Sequence, residues 1–278
     1  MNKKEIIKIV KIALQEDIGS GDITTNLIVS NNQKGFAKIY AKEVGIVAGL
    51  FVARLVFKTF DDKIIFKALT KDGNKISCGE KLAEIKGNLK SLLTGERVAL
   101  NFLQRMSGIA TITSKFVKQL EGTNTRLLDT RKTAPCLRML DKYSVKIGGG
   151  TNHRFGLYDM VLIKDNHIKT AGSITKAVTL VKSKLKNKIK IEVETTSLEE
   201  VKEALANKID IIMLDNMSID TMKEAIKLIN GKVKTEASGN ITLENIREIA
   251  LTGVDFISVG ALTHSVKALD ISMKIENV

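Results

Sequence analysis

Six short apolar runs, each followed by a charged or polar residue or by a glycine, decide the fold: TRLLD (125–129), DMVLIKD (159–165), KIEVET (190–195), IDIIMLD (209–215), KVKTEASG (232–239) and VDFISVG (254–260). The last apolar positions of these runs are Leu128, Ile163, Val193, Leu214, Val233 and Val259. They lie about 20 to 35 residues apart, a spacing typical of β-strands that alternate with helices. Continuous apolar runs favour parallel strands buried on both faces. Six such units predict an α/β fold with an incomplete, TIM-like βα barrel, since eight units would need a longer chain. A doubly wound sheet is the alternative, although no GxGxxG follows the first run.

The first hundred residues have a different pattern. An amphipathic helix is predicted over about 3–16, and four later runs alternate apolar and polar residues as antiparallel strands do: GFAKIYAKE (35–43), GIVAGL (45–50), IIFKALT (64–70) and KLAEIKG (81–87). The segment 91–111 has the periodicity of a long helix with one buried face. It is expected to link a mixed N-terminal region to the barrel.

Composition excludes several classes of protein. With 278 residues, 44% hydrophobic and 27% charged, the chain is too apolar for intrinsic disorder. No apolar run reaches the roughly 18 residues of a membrane span. Cys78 and Cys136, without a CxxC motif, disfavour a disulfide scaffold and a zinc site, so a reducing cytoplasm is expected. The absence of Trp weakens a nucleic-acid interpretation that depends on aromatic stacking.

Arginine is concentrated in one segment. The formal net charge is +13, and most of the excess is Lys on predicted helix faces. Six of the eight arginines nevertheless fall within 97–154: Arg97, Arg105, Arg126, Arg131, Arg138 and Arg154. A guanidinium holds a carboxylate or phosphate bidentately, which an ammonium cannot do. The clustering therefore indicates a small anion of defined geometry.

Ionisable residues follow the predicted strands, where barrel active sites lie. The early ones are cationic: Arg131, Lys132, His153, Arg154 and Lys164. The late ones, Glu194 and Asp215, are carboxylates without a His or Cys partner, which suits Mg²⁺ or hydroxyl groups. The last two loops, EASGNI (236–241) and VGALTHS (259–265), contain glycine and are suited to a phosphate. A single Asp or Asn after a strand, such as Asp165 or Asn216, has the alternative role of a helix cap.

Longer motifs now resemble a known family. The segment 129–167, DTRKTAPCLRMLDKYSVKIGGGTNHRFGLYDMVLIKDNH, is similar to the central signature of the quinolinate phosphoribosyltransferases, also called nicotinate-nucleotide pyrophosphorylases (carboxylating). The resemblance extends over nearly the whole chain through further motifs: LQEDIGSGDITT (14–25), TGERVALNFLQRMSGIAT (94–111), IEVET (191–195), IIMLDNM (211–217), EASGNI (236–241) and GVDFISVGALTHS (253–265).

The resemblance implies an architecture and a reaction. An N-terminal α/β sandwich domain, 1–108, would be joined by the C-terminal segment 266–278, and a barrel domain would span 109–265. The family works as a homodimer and transfers the phosphoribosyl group of 5-phosphoribosyl 1-diphosphate to quinolinate with loss of CO₂, in the biosynthesis of NAD. The new pyridinium cation acts as the electron sink, so Mg²⁺ is the one cofactor implied.

The family's functional residues match positions of this chain one by one. The positions that match its quinolinate pocket are Arg97, Arg131, Lys132, His153, Arg154 and Lys164. Arg97 is implied to reach the pocket from the other subunit, which makes each active site composite. The positions that match the phosphoribosyl diphosphate side are Glu194, Asp215, Ser238, Gly239, Gly260 and His264. Lys132, Glu194 and Asp215 are the implied catalytic residues, and the two carboxylates hold Mg²⁺ directly or through water and diphosphate.

Three other functions stay open at this point. A Schiff-base aldolase would use Lys132 or Lys164 as its nucleophile. A basic nucleic-acid-binding protein is disfavoured because no recognisable binding motif is present. A related transferase that acts on another pyridine base is the alternative that sequence separates least well. Neither nucleic acid nor a membrane is an expected partner.

Overall fold

The structure, a computed structural model, describes residues 2–185 and 189–276. Met1 and the last two residues of the predicted C-terminal segment, 277 and 278, lie outside the described residues. The chain divides into two compact units. The first comprises Met1–Ser114, Thr133–Gly149 and Leu262–Val278, and the second comprises Lys115–Lys132 and Gly150–Ala261. The predicted domain boundary between residues 108 and 109 stays a prediction.

The elements are numbered along the chain. The strands are β1 (Lys34–Ala41), β2 (Gly45–Ile46), β3 (Ile65–Ala68), β4 (Lys75–Ile76), β5 (Lys81–Asn88), β6 (Arg126–Leu128), β7 (Val161–Ile163), β8 (Ile191–Thr195), β9 (Ile211–Asp215), β10 (Lys234–Ser238), β11 (Phe256–Ser258) and β12 (Ile271–Glu276). The helices are α1 (Lys3–Ile18), α2 (Ile23–Ile28), α3 (Leu50–Phe60), α4 (Leu89–Gln119), α5 (Arg138–Ile147), α6 (Asp165–Ala171), α7 (Ile174–Lys184), α8 (Leu198–Ala206), α9 (Ile219–Ile229), α10 (Ile246–Ala250) and α11 (Ala261–His264).

The first unit contains a four-stranded antiparallel sheet with the strand order β12-β1-β5-β3. Burial alternates along β1, and its buried side packs Ile39 into a core with Ile85, Phe57 and Leu103. The prediction of antiparallel strands is therefore confirmed for β1, β3 and β5, although burial with period two holds only along β1. The C-terminal strand β12 pairs with β1 along its whole length, as the family resemblance implied.

The run GIVAGL was predicted as one strand, and that prediction is wrong beyond its second residue. Strand β2 ends at Ile46, and helix α3 begins at Leu50. Gly49 makes the turn with a φ of +100°, and a Cβ there would lie 2.7 Å from the sulfur of Met106. The Asp72 carboxylate accepts hydrogen bonds from the amides of Gly49 and Leu50, which supplies the helix with its cap.

The second unit is an incomplete βα barrel, as predicted. Its six parallel strands lie in the order β6-β11-β10-β9-β8-β7. Sequential strands are neighbours, except that β6 and β7 are the two edges. The chain between these edges passes through 133–149, which belongs to the first unit. No helix among the described residues is long and apolar enough to cross a membrane.

Serine side chains start three of the barrel helices. Ser173, Ser197 and Ser218 each accept a hydrogen bond from an amide three residues later, at the beginnings of α7, α8 and α9. One predicted strand end was misplaced. Val233 precedes β10 rather than ending it, because the strand continues through the buried residues 235–237.

One of the three consecutive glycines lies against helix α4. A Cβ at Gly148 would overlap the carbonyl oxygen of Ala110 and lie 2.6 Å from the Cβ of Thr113. This close approach leaves room only for glycine.

Candidate active site

The carboxyl ends of the barrel strands bring several predicted site residues to one edge of the sheet. Lys164 directly follows β7, Glu194 is the last residue but one of β8, and Asp215 ends β9. Ser238 ends β10 in register with Asp215. Gly260 is the second residue after β11 and follows Val259. The strand pattern of the sequence therefore placed these residues on the same edge.

An ion pair links the predicted cationic and acidic halves. Lys164 Nζ lies 2.6 Å from Glu194 Oε2. The Glu194 side chain is 11% exposed and that of Lys164 is 45% exposed, so the carboxylate sits deeper than the ammonium. An anionic ligand that draws Lys164 away would release Glu194 for a second partner.

Asn216 fixes the carboxylate of Asp215. The Asn216 side-chain amide donates to Asp215 Oδ2 at 2.7 Å, and its oxygen accepts from Asn240 at 3.1 Å. Asn216 and Asn240 both have positive φ, +53° and +50°, conformations that asparagine tolerates. Between them in space lies Gly239, where a Cβ would overlap the Asn216 side chain. The alternative role of a helix cap is wrong for Asn216, because Ser218 caps α9. It is also wrong for Asp165, which is the first residue inside α6 and follows the N-cap position, Lys164.

Two half-buried guanidinium groups face the same region. Burial, followed by the positive charge of Arg131, lowers the pKa of Arg154. Arg154 Nη1 donates to the carbonyl oxygen of Met160 at 3.0 Å, which orients the side chain. Lys132, which follows Arg131 in the chain, is exposed. Because both guanidinium groups carry the same charge and are partly shielded from solvent, a bound anion would stabilise them.

His153 lies over three buried carboxylates. Asp129 accepts from the backbone amide of His153 at 2.8 Å and from the side chain of Asn152 at 2.6 Å. On the ring, Nε2 lies 3.1 Å from Glu192 and 3.4 Å from Glu236, both of which are fully buried. The other ring nitrogen, Nδ1, accepts from the backbone amide of Arg154 at 2.7 Å.

Opposing effects act on the protonation of this histidine. Burial lowers its pKa, but the hydrogen bonds and charges of Glu192 and Glu236 outweigh burial and raise the pKa to about 10. The amide of Arg154 opposes this shift, because Nδ1 can accept only without a proton. Burial raises the pKa of Glu192 to about 7. Both protonation states that fit these contacts place a proton on Nε2, and the state in which Nδ1 accepts the Arg154 amide is the neutral one.

Two predicted site residues belong to the first unit. Arg97 is exposed on α4, next to Glu96, whose pKa is raised by burial. His264 ends α11 and is exposed, with Nδ1 2.7 Å from the hydroxyl of Ser265. Their roles in the site stay predictions.

Glu192 is the residue that sequence reasoning missed. Only the polar residues that follow each apolar run were considered, and Glu192 stands second in β8. It has the same parity as Glu194, so both point to one face of the strand. A carboxylate inside an otherwise apolar strand is costly to bury, and that cost was the available signal.

An incomplete βα barrel with paired guanidinium groups and carboxylates at its strand ends defines a class of barrel enzymes that act on small anions. Family comparison identifies the member. The model of the quinolinate phosphoribosyl transferase N-terminal domain matches residues 22–107, and that of the C-terminal domain matches residues 109–274. The chain belongs to the quinolinate phosphoribosyltransferase family.

Curated relatives and solved structures agree with this assignment. A probable nicotinate-nucleotide pyrophosphorylase [carboxylating] of Synechocystis is 49% identical over 94% of this chain and 90% of its own length. The probable enzyme of the same name from Bacillus subtilis is 46% identical over 99% and 95%. The crystal structure of NadC from Streptococcus pyogenes superposes with a TM-score of 0.95 at 44% identity, covering 99% of this chain and 97% of that one.

Proposed function

We propose that this protein transfers the phosphoribosyl group of 5-phosphoribosyl 1-diphosphate to the ring nitrogen of quinolinate and releases pyrophosphate and CO₂. The product is nicotinate mononucleotide, a precursor of NAD. Membership of the family supports the reaction, and one observation carries it within the site. Arg131 and Arg154 are both half-buried, and the Arg154 guanidinium is oriented by its bond to the carbonyl oxygen of Met160, so the two cations suit a dicarboxylate.

The cationic half binds quinolinate in this proposal. Arg131 and Arg154 pair with its two carboxylates, and Lys164 reaches the same ligand from the end of β7. Lys132 lies beside Arg131 and supplies charge near the reacting centre. His153 completes the pocket through its position between the barrel interior and Arg154.

The acidic half binds the sugar. As pyrophosphate departs, positive charge develops on the ribose ring, and the carboxylates of Glu194 and Asp215 stabilise it. Ser238 ends β10, Gly239 follows it, and Gly260 is the second residue after β11. In this proposal their backbone amides bind phosphate, and His264 is assigned to the same side. The carboxylate beside the ring nitrogen then leaves as CO₂. The electron pair of the broken C–C bond stays on that ring carbon, where the adjacent positive nitrogen stabilises it, and the carbon takes up a proton to give nicotinate mononucleotide.

Mg²⁺ fits the acidic half. Glu194 and Asp215 are half-buried carboxylates that each use one oxygen in a contact of the protein, with Lys164 and Asn216. Oxygen ligands of this kind suit a hard divalent cation that also retains water or diphosphate oxygens. When bound, Mg²⁺ would neutralise charge on the leaving pyrophosphate.

A homodimer with composite sites is part of the proposal. Arg97 is exposed on α4, and in a dimer it is available to a second copy of the chain. The short helix α2 exposes three large apolar side chains, Ile23, Leu27 and Ile28, each at least 75% accessible, which favours an apolar interface. Both cysteines are free, which fits a reducing cytoplasm.

The test uses the purified protein with 5-phosphoribosyl 1-diphosphate, Mg²⁺ and either quinolinate or nicotinate. Quinolinate should give nicotinate mononucleotide, whereas nicotinate should react poorly. A monocarboxylate would leave one half-buried cation without its partner, which costs about 1–3 kcal/mol. Equal turnover of the two bases would contradict the proposal, and a product formed only from another pyridine base would support a related transferase.

A further inference from the structure

Two buried carboxylates of the barrel interior have no role in the reaction described above. Glu192 and Glu236 are both 0% exposed, and their oxygens have no aligned hydrogen bond among the described residues. Nε2 of His153 approaches both, at 3.1 and 3.4 Å, and the two carboxyl groups also interact with each other. Paired buried charges are weak stabilisers compared with apolar side chains of similar volume. Stability alone therefore does not account for these two residues.

The carboxylates belong to alternate strands of the sheet. Glu192 lies on β8 and Glu236 on β10, and Asp129 directly follows β6. In a βα barrel, side chains from alternate strands share one layer of the interior. All three carboxylates approach the same short segment, 152–153, through its backbone amide, the Asn152 side chain and the His153 ring.

The histidine ring connects this layer to an arginine of the quinolinate pocket. Nε2 faces the carboxylates, and Nδ1 accepts the backbone amide of Arg154. The backbone amides on both sides of the His153 α-carbon are thereby held, one by Asp129 and the other by the ring. A ring that turns away would release Arg154 N–H and shift the origin of its guanidinium. Displacement by about 1 Å is enough to affect an oriented site strongly.

We propose that Glu192 and Glu236 are positioning residues of the quinolinate pocket, which hold Arg154 in place through the His153 ring. This inference rests on the proposed function, because it assigns quinolinate to Arg154. Neither glutamate is assigned a contact with the substrate. Their effect should therefore appear in quinolinate affinity and vanish when Arg154 is absent.

The first experiment compares Glu192→Gln, Glu192→Leu and Glu236→Gln with the wild type. The KM for quinolinate and its Kd, from calorimetric titration without the sugar diphosphate, should rise about 10-fold or more in Glu192→Leu. Glu192→Gln keeps an acceptor for Nε2 and should lose less. The KM for 5-phosphoribosyl 1-diphosphate should stay within about twofold. Glu236→Gln gives a second, independent substitution if one glutamate variant does not fold.

The matched control removes a buried hydrogen bond at the opposite end of the strands. Thr125 precedes β6, and its hydroxyl donates to the carbonyl oxygen of Val254 at 2.7 Å. Thr125→Val should lower the melting temperature and leave the KM for quinolinate unchanged. A purely structural role for Glu192 would make it behave like this control, and that result would overturn the proposal.

A double-mutant cycle with Arg154→Ala completes the test. If Glu192 acts through Arg154, adding Glu192→Leu to Arg154→Ala should change the Kd for quinolinate by less than about twofold. Multiplying losses would overturn the positioning role while leaving the proposed function intact. A wild-type protein that neither binds quinolinate nor forms product would instead refute the proposed function, and the positioning role with it.

Discussion

Replacing Gly239 by alanine tests the geometry at the end of β10 directly. Gly239 has a φ of +96°, and a Cβ there would overlap the Asn216 side-chain oxygen and lie 3.0 Å from the Asn216 backbone nitrogen. Gly253 has nearly the same φ, +95°, but its Cβ would meet only a methyl of Ile226 at 3.7 Å. Both substitutions carry the backbone cost of about 1–2 kcal/mol for a positive φ. Only Gly239→Ala adds overpacking, about 1–3 kcal/mol more.

The expected outcome has two parts. The free energy of unfolding, from denaturant titration, should fall further in Gly239→Ala than in Gly253→Ala by that second amount. Because Asn216 must move and its amide holds Asp215, the KM for 5-phosphoribosyl 1-diphosphate should also rise by about 10-fold or more. Equal destabilisation of the two variants, with normal kinetics in both, would refute the account of this loop.

Three further predictions concern the two halves of the site, the dimer and stability. Asp215→Asn should lower kcat about 10²-fold in steady-state assays and leave quinolinate affinity nearly unchanged, because one electrostatic stabiliser is lost; a loss confined to quinolinate affinity would contradict the division of the site. Arg97→Ala and Lys132→Ala should each be nearly inactive when expressed alone. Co-expression should restore about a quarter of wild-type activity, because half the dimers are mixed and half of the sites in a mixed dimer are intact. No recovery would show that Arg97 serves its own chain. Burial raises the pKa of Asp255, but contacts led by Lys234 outweigh it and hold the pKa below its ordinary value. The stabilisation by this carboxylate is therefore present at neutral pH and is lost as pH falls through its folded-state pKa. Asp255→Asn should lower the free energy of unfolding by about 1–2 kcal/mol at neutral pH and by progressively less in acid.

The barrel was predictable because its strands are buried on both faces. A run such as IIMLD leaves few alternatives to a central parallel strand, and all six runs became strands of one sheet. The segment 45–60 was harder, because its apolar residues suit a strand as well as a helix. What decides it is Asp72, more than twenty residues later, which caps the helix through Gly49 and Leu50. No local pattern contains that contact.

The candidate site shows the same limit. The strand-end positions of Lys164, Glu194 and Asp215 followed from the spacing of the runs, since parallel strands end at one edge. The pairing of His153 with Glu192 depends on which side chains meet inside the barrel. That pairing joins residues far apart in sequence, and strand periodicity gives only the face on which each lies.

The most direct test follows the carbon that leaves. Quinolinate labelled with ¹³C in the carboxylate beside the ring nitrogen is incubated with the protein, 5-phosphoribosyl 1-diphosphate and Mg²⁺, and CO₂ and pyrophosphate are measured together. Labelled CO₂ should appear in a one-to-one ratio with pyrophosphate, and label in the other carboxylate should remain in nicotinate mononucleotide. Pyrophosphate release without CO₂, or label from the wrong carboxylate, would contradict phosphoribosyl transfer coupled to decarboxylation.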